Sequence, residues 1–205
     1  MNLSDAVDEY IGAKEVENLS KKTIQIYKSM LDEFLVFLGD ISLESYSASD
    51  VRSFLRYQRN REGRFGKLSD ATIHKYYSVV RTFSIWIKAQ GYIEHSPTEK
   101  VNAPRVEEKL PESLSDKELG NLFKYLKAYS TKRVQLIFSF FIDTGARLSE
   151  VVNIDLDDLY LEDGWVKVYG KGRRERILPL GNTFRKDLKE YLNSIRPVIA
   201  EEGEK

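Results

Sequence analysis

The hydrophobic period of this chain changes once, and that change restricts the fold more than any other feature. From Leu3 to Ile142 the apolar residues recur three and four positions apart; past Glu150 they alternate, as in Trp165-Val166-Lys167-Val168-Tyr169. The two patterns are not interchangeable, because side chains repeat every two residues along a strand and about every 3.6 along a helix. The expected fold is therefore mainly α with a small antiparallel β-sheet placed late in the chain, an α+β protein.

Four helical stripes come first. Leu3, Ala6, Val7, Tyr10 and Ile11 mark a short helix, and Ser20 caps a longer one that runs through Ile24, Leu31 and Phe34 to Gly39. Ser49-Asp50 opens a third helix with Val51, Phe54, Leu55 and Gln58 turned inward and Arg52, Arg56 and Arg59 side by side on the other face. Residues 61–67 read as a basic flexible loop, and Ser69 caps a fourth helix through Tyr76, Tyr77, Val80, Phe83 and Ile87 to Gly91. These apolar positions suffice for a small bundle over residues 1–95. Residues 96–111 hold Pro97, Pro104 and Pro111 with no helical stripe and read as a linker.

A second domain is expected over 112–205. Ser115-Asp116-Lys117-Glu118 matches a capping box, and the apolar helix over 134–142 is expected to be buried. A hairpin follows, turning at Glu162-Asp163-Gly164, and the glycine-flanked turn from Gly170 leads to a third strand over 176–180. A last helix spans 183–195.

The chain has 205 residues, which fits two domains, and no cysteine, which excludes disulfides, thiolate zinc sites and cysteine nucleophiles. His74 and His95 read as surface residues, so no metal or other cofactor is expected. The longest apolar run, residues 136–142, is too short to cross a bilayer, and the start lacks the features of a signal peptide, so a cytoplasmic protein without membrane association is expected. The zero net charge is a cancellation. Residues 1–51 carry ten acids against four lysines, whereas residues 52–88 carry nine basic residues against two acids. The basic set is Arg52, Arg56, Arg59, Arg61, Arg64, Lys67, Lys75, Arg81 and Lys88; a second basic stretch over 167–186 contains Lys171, Arg173, Arg174, Arg176 and Arg185. Two positive regions on a neutral chain point to a polyanion held from two sides.

The chemistry concentrates in Thr144-Gly145-Ala146-Arg147-Leu148-Ser149-Glu150 and in Gly170-Lys171-Gly172-Arg173-Arg174-Glu175-Arg176. A planar guanidinium such as that of Arg147 can donate two parallel hydrogen bonds to phosphate oxygens and stabilise added negative charge. Gly145 lets the chain turn after a buried helix, and Glu150, one helical turn on, can steady the guanidinium.

With these residues the chain closely resembles the tyrosine recombinases, in particular the Xer and integrase branch. Thr23-Ile24-Gln25-Ile26-Tyr27 and Gly91-Tyr92-Ile93-Glu94-His95-Ser96-Pro97 resemble that family's helical, SAM-like core-binding domain and the exit from it; Leu114-Ser115-Asp116-Lys117-Glu118 resembles the start of its catalytic domain. The resemblance implies site-specific recombination at a double-stranded DNA site, with cutting and rejoining through a 3′-phosphotyrosine. It implies that Arg147 binds the scissile phosphate, that Glu150 supports it and that Lys171 protonates the departing 5′ oxygen. Arg52, Arg56, Arg59, Arg64, Lys67, Lys75, Arg81, Arg173, Arg174 and Arg176 are the expected DNA contacts. It also implies homo- or hetero-tetramers in the full-length form; this chain alone, without the C-terminal segments that would lock protomers together, is expected to be a monomer.

The His-x-x-Arg motif of the family and its nucleophilic tyrosine do not follow the last helix, and none of the twelve tyrosines stands in that context. The 205 residues alone are therefore expected to bind DNA without cutting it, as a piece of a recombinase. The alternative is a naturally short, non-catalytic DNA-binding or regulatory relative.

Overall fold

The structure, a computed structural model, describes residues 1–63, 66–107, 112–170 and 174–197. It separates into two compact units, Met1–Leu110 and Pro111–Lys205.

The first unit contains α1 (Leu3–Val16), α2 (Lys21–Leu38), α3 (Ala48–Asn60) and α4 (Asp70–Ala89). The caps explain the boundaries. Ser20 Oγ accepts the Thr23 amide at 3.1 Å and Ser69 Oγ accepts the Thr72 amide at 3.2 Å. α3 begins earlier than the Ser49-Asp50 reading: Ser47 is the cap, and Asp50 returns to its amide at 2.8 Å, so Asp50 closes the box that Ser47 opens. Tyr10, Phe34, Phe54 and Phe83 are fully buried where the four helices meet, with Phe34 and Phe54 edge to face at 4.8 Å between centroids. Tyr76 and Tyr77 belong to this core, as the apolar stripe of α4 requires.

Two expectations change here. The basic loop is a small hairpin, with β1 (Glu62–Gly63) antiparallel to β2 (Gly66–Lys67). Arg61 at its base donates to Glu33 at 2.7 Å, and Glu33 also accepts from Gln58 at 3.0 Å and from Tyr76 at 3.0 Å. One carboxylate thus joins α2, α3, α4 and the root of the hairpin. Residues 96–101, read as the start of a linker, pack onto the bundle. A 3₁₀ turn, Pro97–Lys100, places Val101 8% exposed against the core, and Tyr77 donates to the Val101 carbonyl at 3.0 Å. Pro97 stands at the start of that turn, where its missing amide hydrogen leaves no bond unmade.

The second unit contains α5 (Asp116–Tyr129), α6 (Lys132–Thr144), the short α7 (Leu148–Val151), and a three-stranded antiparallel sheet of β3 (Leu159–Tyr160), β4 (Trp165–Tyr169) and β5 (Glu175–Pro179), in the order β3-β4-β5. α8 (Asn182–Glu190) follows and runs into one widened turn, Tyr191–Ile195. The capping box of α5 is formed: Glu118 accepts the Ser115 amide at 2.8 Å. Val166 and Val168 point inward from β4 and meet Leu136, Phe140, Leu178 and Phe184, while Trp165, Lys167 and Tyr169 face outward. α6 is less buried than its composition suggests. Leu136 and Phe140 face the core, whereas Phe138 and Ile142 on the remaining surface are 37% and 48% exposed. Among the described residues no helix is long and apolar enough to cross a membrane.

Candidate functional site

The site of the second unit starts from a helix end. α6 stops at Gly145, whose left-handed backbone (φ 62°, ψ 24°) lets its amide reach the Phe141 carbonyl. Thr144 Oγ1 donates to the Phe140 carbonyl at 2.6 Å and accepts the Ala146 amide at 3.2 Å, closing the turn. Arg147 follows in extended conformation at the N-terminus of α7. No serine, threonine or aspartate stands at the cap to accept an amide of the first turn, but the Glu half of a capping box is present: Glu150 Oε2 reaches back to the Arg147 amide at 2.7 Å.

Glu150 is a fully buried carboxylate with two cations. Its Oε1 accepts from Arg147 Nη1 at 3.1 Å and its Oε2 from Arg176 Nη2 at 2.7 Å. The Arg176 hydrogen bond, then the Arg147 amide, pull its pKa from the ordinary carboxylate value down to about 2 against the opposing effect of burial. Glu150 is therefore charged at any ordinary pH. Two guanidiniums around one carboxylate leave one positive charge in excess, and the Arg147 side chain is 70% exposed. Most of the Arg147 donor fork is thus turned to solvent while its root is anchored.

The β4–β5 hairpin passes the same carboxylate. The Gly170 amide donates to the Arg174 carbonyl at 2.8 Å, and a β-carbon on Gly170 would stand 3.5 Å from Glu150 Oε1. Lys171 and Arg173, between these two residues, lie outside the described residues, as does Arg64 in the first unit. Arg174 is exposed. Three other cations of the second basic stretch have internal partners: Arg176 pairs with Glu150, Lys167 with Asp158 at 3.4 Å, and Arg185 donates to Asn182 at 2.9 Å. Sequence spacing does not reveal these pairings, because the acids lie nine to 26 positions away for Lys167 and Arg176.

In the first unit Arg52, Arg56 and Arg59 are exposed on one face of α3, as their spacing requires. Arg59 is held by Asp70 at 3.1 Å and Arg52 donates to the Lys100 carbonyl at 3.4 Å. Lys67, Lys75 and Arg81 are exposed too, but six positions on a helix turn Lys75 and Arg81 about 120° apart, so they do not share one stripe. The structure adds a feature missed in sequence. Pro104, Arg105, Val106 and Glu107 line one depression together with Arg59 and Asp70, so this segment runs beside the arginine face. Its sequence signal is three basic residues, Lys100, Arg105 and Lys109, in a proline-containing stretch.

A helical bundle joined to a unit in which a buried glutamate presents an exposed arginine beside a three-stranded sheet defines an integrase-type protein. Comparison with known proteins agrees for both units: residues 8–91 match the phage integrase N-terminal SAM-like domain and residues 112–204 match the phage integrase family. The chain belongs to the phage integrase, or tyrosine recombinase, family. It is 28% identical to tyrosine recombinase XerD of Oceanobacillus iheyensis over 200 residues, covering 95% of this chain and 66% of that protein. It is 32% identical to tyrosine recombinase XerC of Bacillus subtilis over 206 residues, covering 97% and 66%. The chain thus spans just under two thirds of the length of these relatives. Among solved structures, a lambda integrase dimer bound to a COC′ core site has the same fold, with a TM-score of 0.79 at 18% identity, covering 95% of this chain and 71% of that one.

Proposed function

We propose that this chain is the DNA-gripping part of a site-specific tyrosine recombinase, with residues 1–95 as its core-binding domain and residues 112–205 as part of its catalytic domain. The observation that carries the reading is the exposed Arg147 guanidinium anchored on the buried Glu150 carboxylate. A phosphodiester placed over Arg147 meets donors that are already oriented, so little reorganisation accompanies the build-up of charge at phosphorus. Lys171 follows Gly170, whose backbone passes Glu150; we assign it the proton given to the 5′ oxygen as the bond from phosphorus to that oxygen breaks. The bond that forms joins phosphorus to a tyrosine oxygen, and none of the twelve tyrosines of this chain is assigned that role. Tyr160 and Tyr169 sit on strands and Tyr191 is buried.

Arg52, Arg56, Arg59, Arg64, Lys67, Lys75, Arg81, Arg173 and Arg174 are assigned to the DNA backbone, where positive charge positions the protein without reading sequence. The solved relatives include a lambda integrase tetramer bound to a Holliday junction, which supports tetramers for complete recombinases. For these 205 residues alone we propose a monomer acting in the cytoplasm.

A mobility-shift titration against duplex DNA tests the reading. If about six cations meet phosphates, log affinity falls with log salt at a slope near −5. Affinity unchanged from low to high salt would overturn it. On a nicked suicide substrate the 205 residues are expected to form no covalent adduct; an adduct would place the nucleophile within them.

A further inference from the structure

We infer that Arg176 is a positioning residue: by occupying Oε2 of Glu150 it leaves the Arg147 guanidinium with positive charge to offer a DNA phosphate, and it does not itself touch DNA. This rests on the phosphate role proposed for Arg147. It departs from the sequence-based expectation that Arg176 is a backbone contact.

The strand places Arg176 for this task. It pairs with Val168 across the β4–β5 ladder, and it lies two positions from Leu178, so both side chains leave the strand on the core-facing side. From that side its Nη2 reaches the buried Glu150 carboxylate at 2.7 Å. Arg176 has the shorter contact to the carboxylate and the less exposed side chain, 42% against 70% for Arg147, so of the two guanidiniums it is the one committed to Glu150 and Arg147 the one turned to solvent. Among the described residues, Glu150 without Arg176 would keep only Arg147 as a cation, and that pair would be neutral. With Arg176 in place, the same carboxylate orients Arg147 without cancelling it. The contact also joins α7 to β5 across 26 residues, so the arginine element is held to the sheet rather than to its own helix alone.

The test is a double-mutant cycle on duplex-DNA affinity, read across a salt series, with Arg147→Gln, Arg176→Gln and the double variant. Loss of Arg147 is expected to weaken binding about tenfold and to make the salt slope shallower by about 0.9. Arg176→Gln is expected to weaken binding by a similar factor, and the double variant to bind within about twofold of Arg147→Gln alone. Two outcomes overturn the inference: losses that multiply, with a slope shallower by about 1.8 in the double variant, or wild-type affinity in Arg176→Gln. A wild-type result in Arg147→Gln, where Arg176 is intact, would instead refute the phosphate role of Arg147, and the inference would fall with it. Dicarbonyl modification of the unaltered chain, mapped by peptide mass, covers the case of a variant that does not fold. DNA should shield Arg147 and leave the reactivity of Arg176 unchanged; equal shielding of both would overturn the inference.

Discussion

Asp143 Oδ2 accepts the backbone amide of Gly181 at 2.7 Å, tying the last turn of α6 to the residue that precedes α8. A carboxylate at a helix N-terminus also meets the positive end of the helix dipole. The backbone of Gly181 is ordinary (φ −65°), so what requires glycine there is space: a β-carbon would stand 2.5 Å from Asp143 Oδ1. Gly181→Ala should destabilise the second unit by about 1–2 kcal/mol through the displaced carboxylate. In thermal unfolding, the alanine should cost much less when Asp143 is already alanine, because the clash is then gone.

Gly145 presents the opposite case. Nothing stands within 4 Å of a β-carbon built there, but its φ of 62° lies in the left-handed region. Gly145→Ala should therefore cost about 1–2 kcal/mol from backbone strain alone, and Gly145→Asn less, because asparagine tolerates that conformation. Thermal melting of the three proteins should give the order glycine, asparagine, alanine.

The Glu150 pair predicts a pH dependence. Its pKa in the folded chain, about 2, lies below the ordinary 4.5, so the stabilisation is complete above pH 4.5 and is lost as the pH falls towards 2. Glu150→Gln removes this dependence and, near neutral pH, should cost about 1–3 kcal/mol; two partly exposed guanidiniums hold the figure below that of a fully buried pair. The difference in melting temperature between wild type and Glu150→Gln should shrink steadily between pH 4.5 and 2. A constant difference would show that the carboxylate is not the titrating group.

On the first unit, the proposed contact of Arg59 with the DNA backbone would have to compete with its ion pair to Asp70. The pair is 3.1 Å long with both side chains more than half exposed, so its strength is small and falls with salt. Asp70→Asn should tighten duplex binding by about two- to fivefold at low salt. Arg56→Gln should weaken binding and make the salt slope shallower by about 0.9. Affinity measured at three salt concentrations separates the two effects.

Much of this architecture is legible from local chemistry. The stripe Ile73-Tyr76-Tyr77-Val80-Phe83-Ile87 specifies the buried face of α4, Ser69 and Ser115 set the helix starts, and the alternation at Val166 and Val168 specifies the inner face of the sheet, because each depends on neighbours within a turn or two. α3 starts two residues before the Ser49 expectation for a related reason: Ser47 and Ser49 are both suitable caps, and what decides between them is the position of Asp50 three residues after Ser47. The surface of α6 could not be read from composition, since Phe138 and Ile142 are as apolar as the buried Phe140 and differ only in whether another element covers them.

By itself the sequence determined the order of the main helices and of the three-stranded sheet, the glycine-ended helix before Arg147 and the link between Arg147 and Glu150, all interactions within a few residues. Only the tertiary structure decided which of the many cations remain available. It gave Arg176 to Glu150, Lys167 to Asp158, Arg59 to Asp70 and Arg61 to Glu33. The reason is physical: a formal charge is a property of one residue, whereas the field it presents outward depends on counter-charges brought to it from distant parts of the chain.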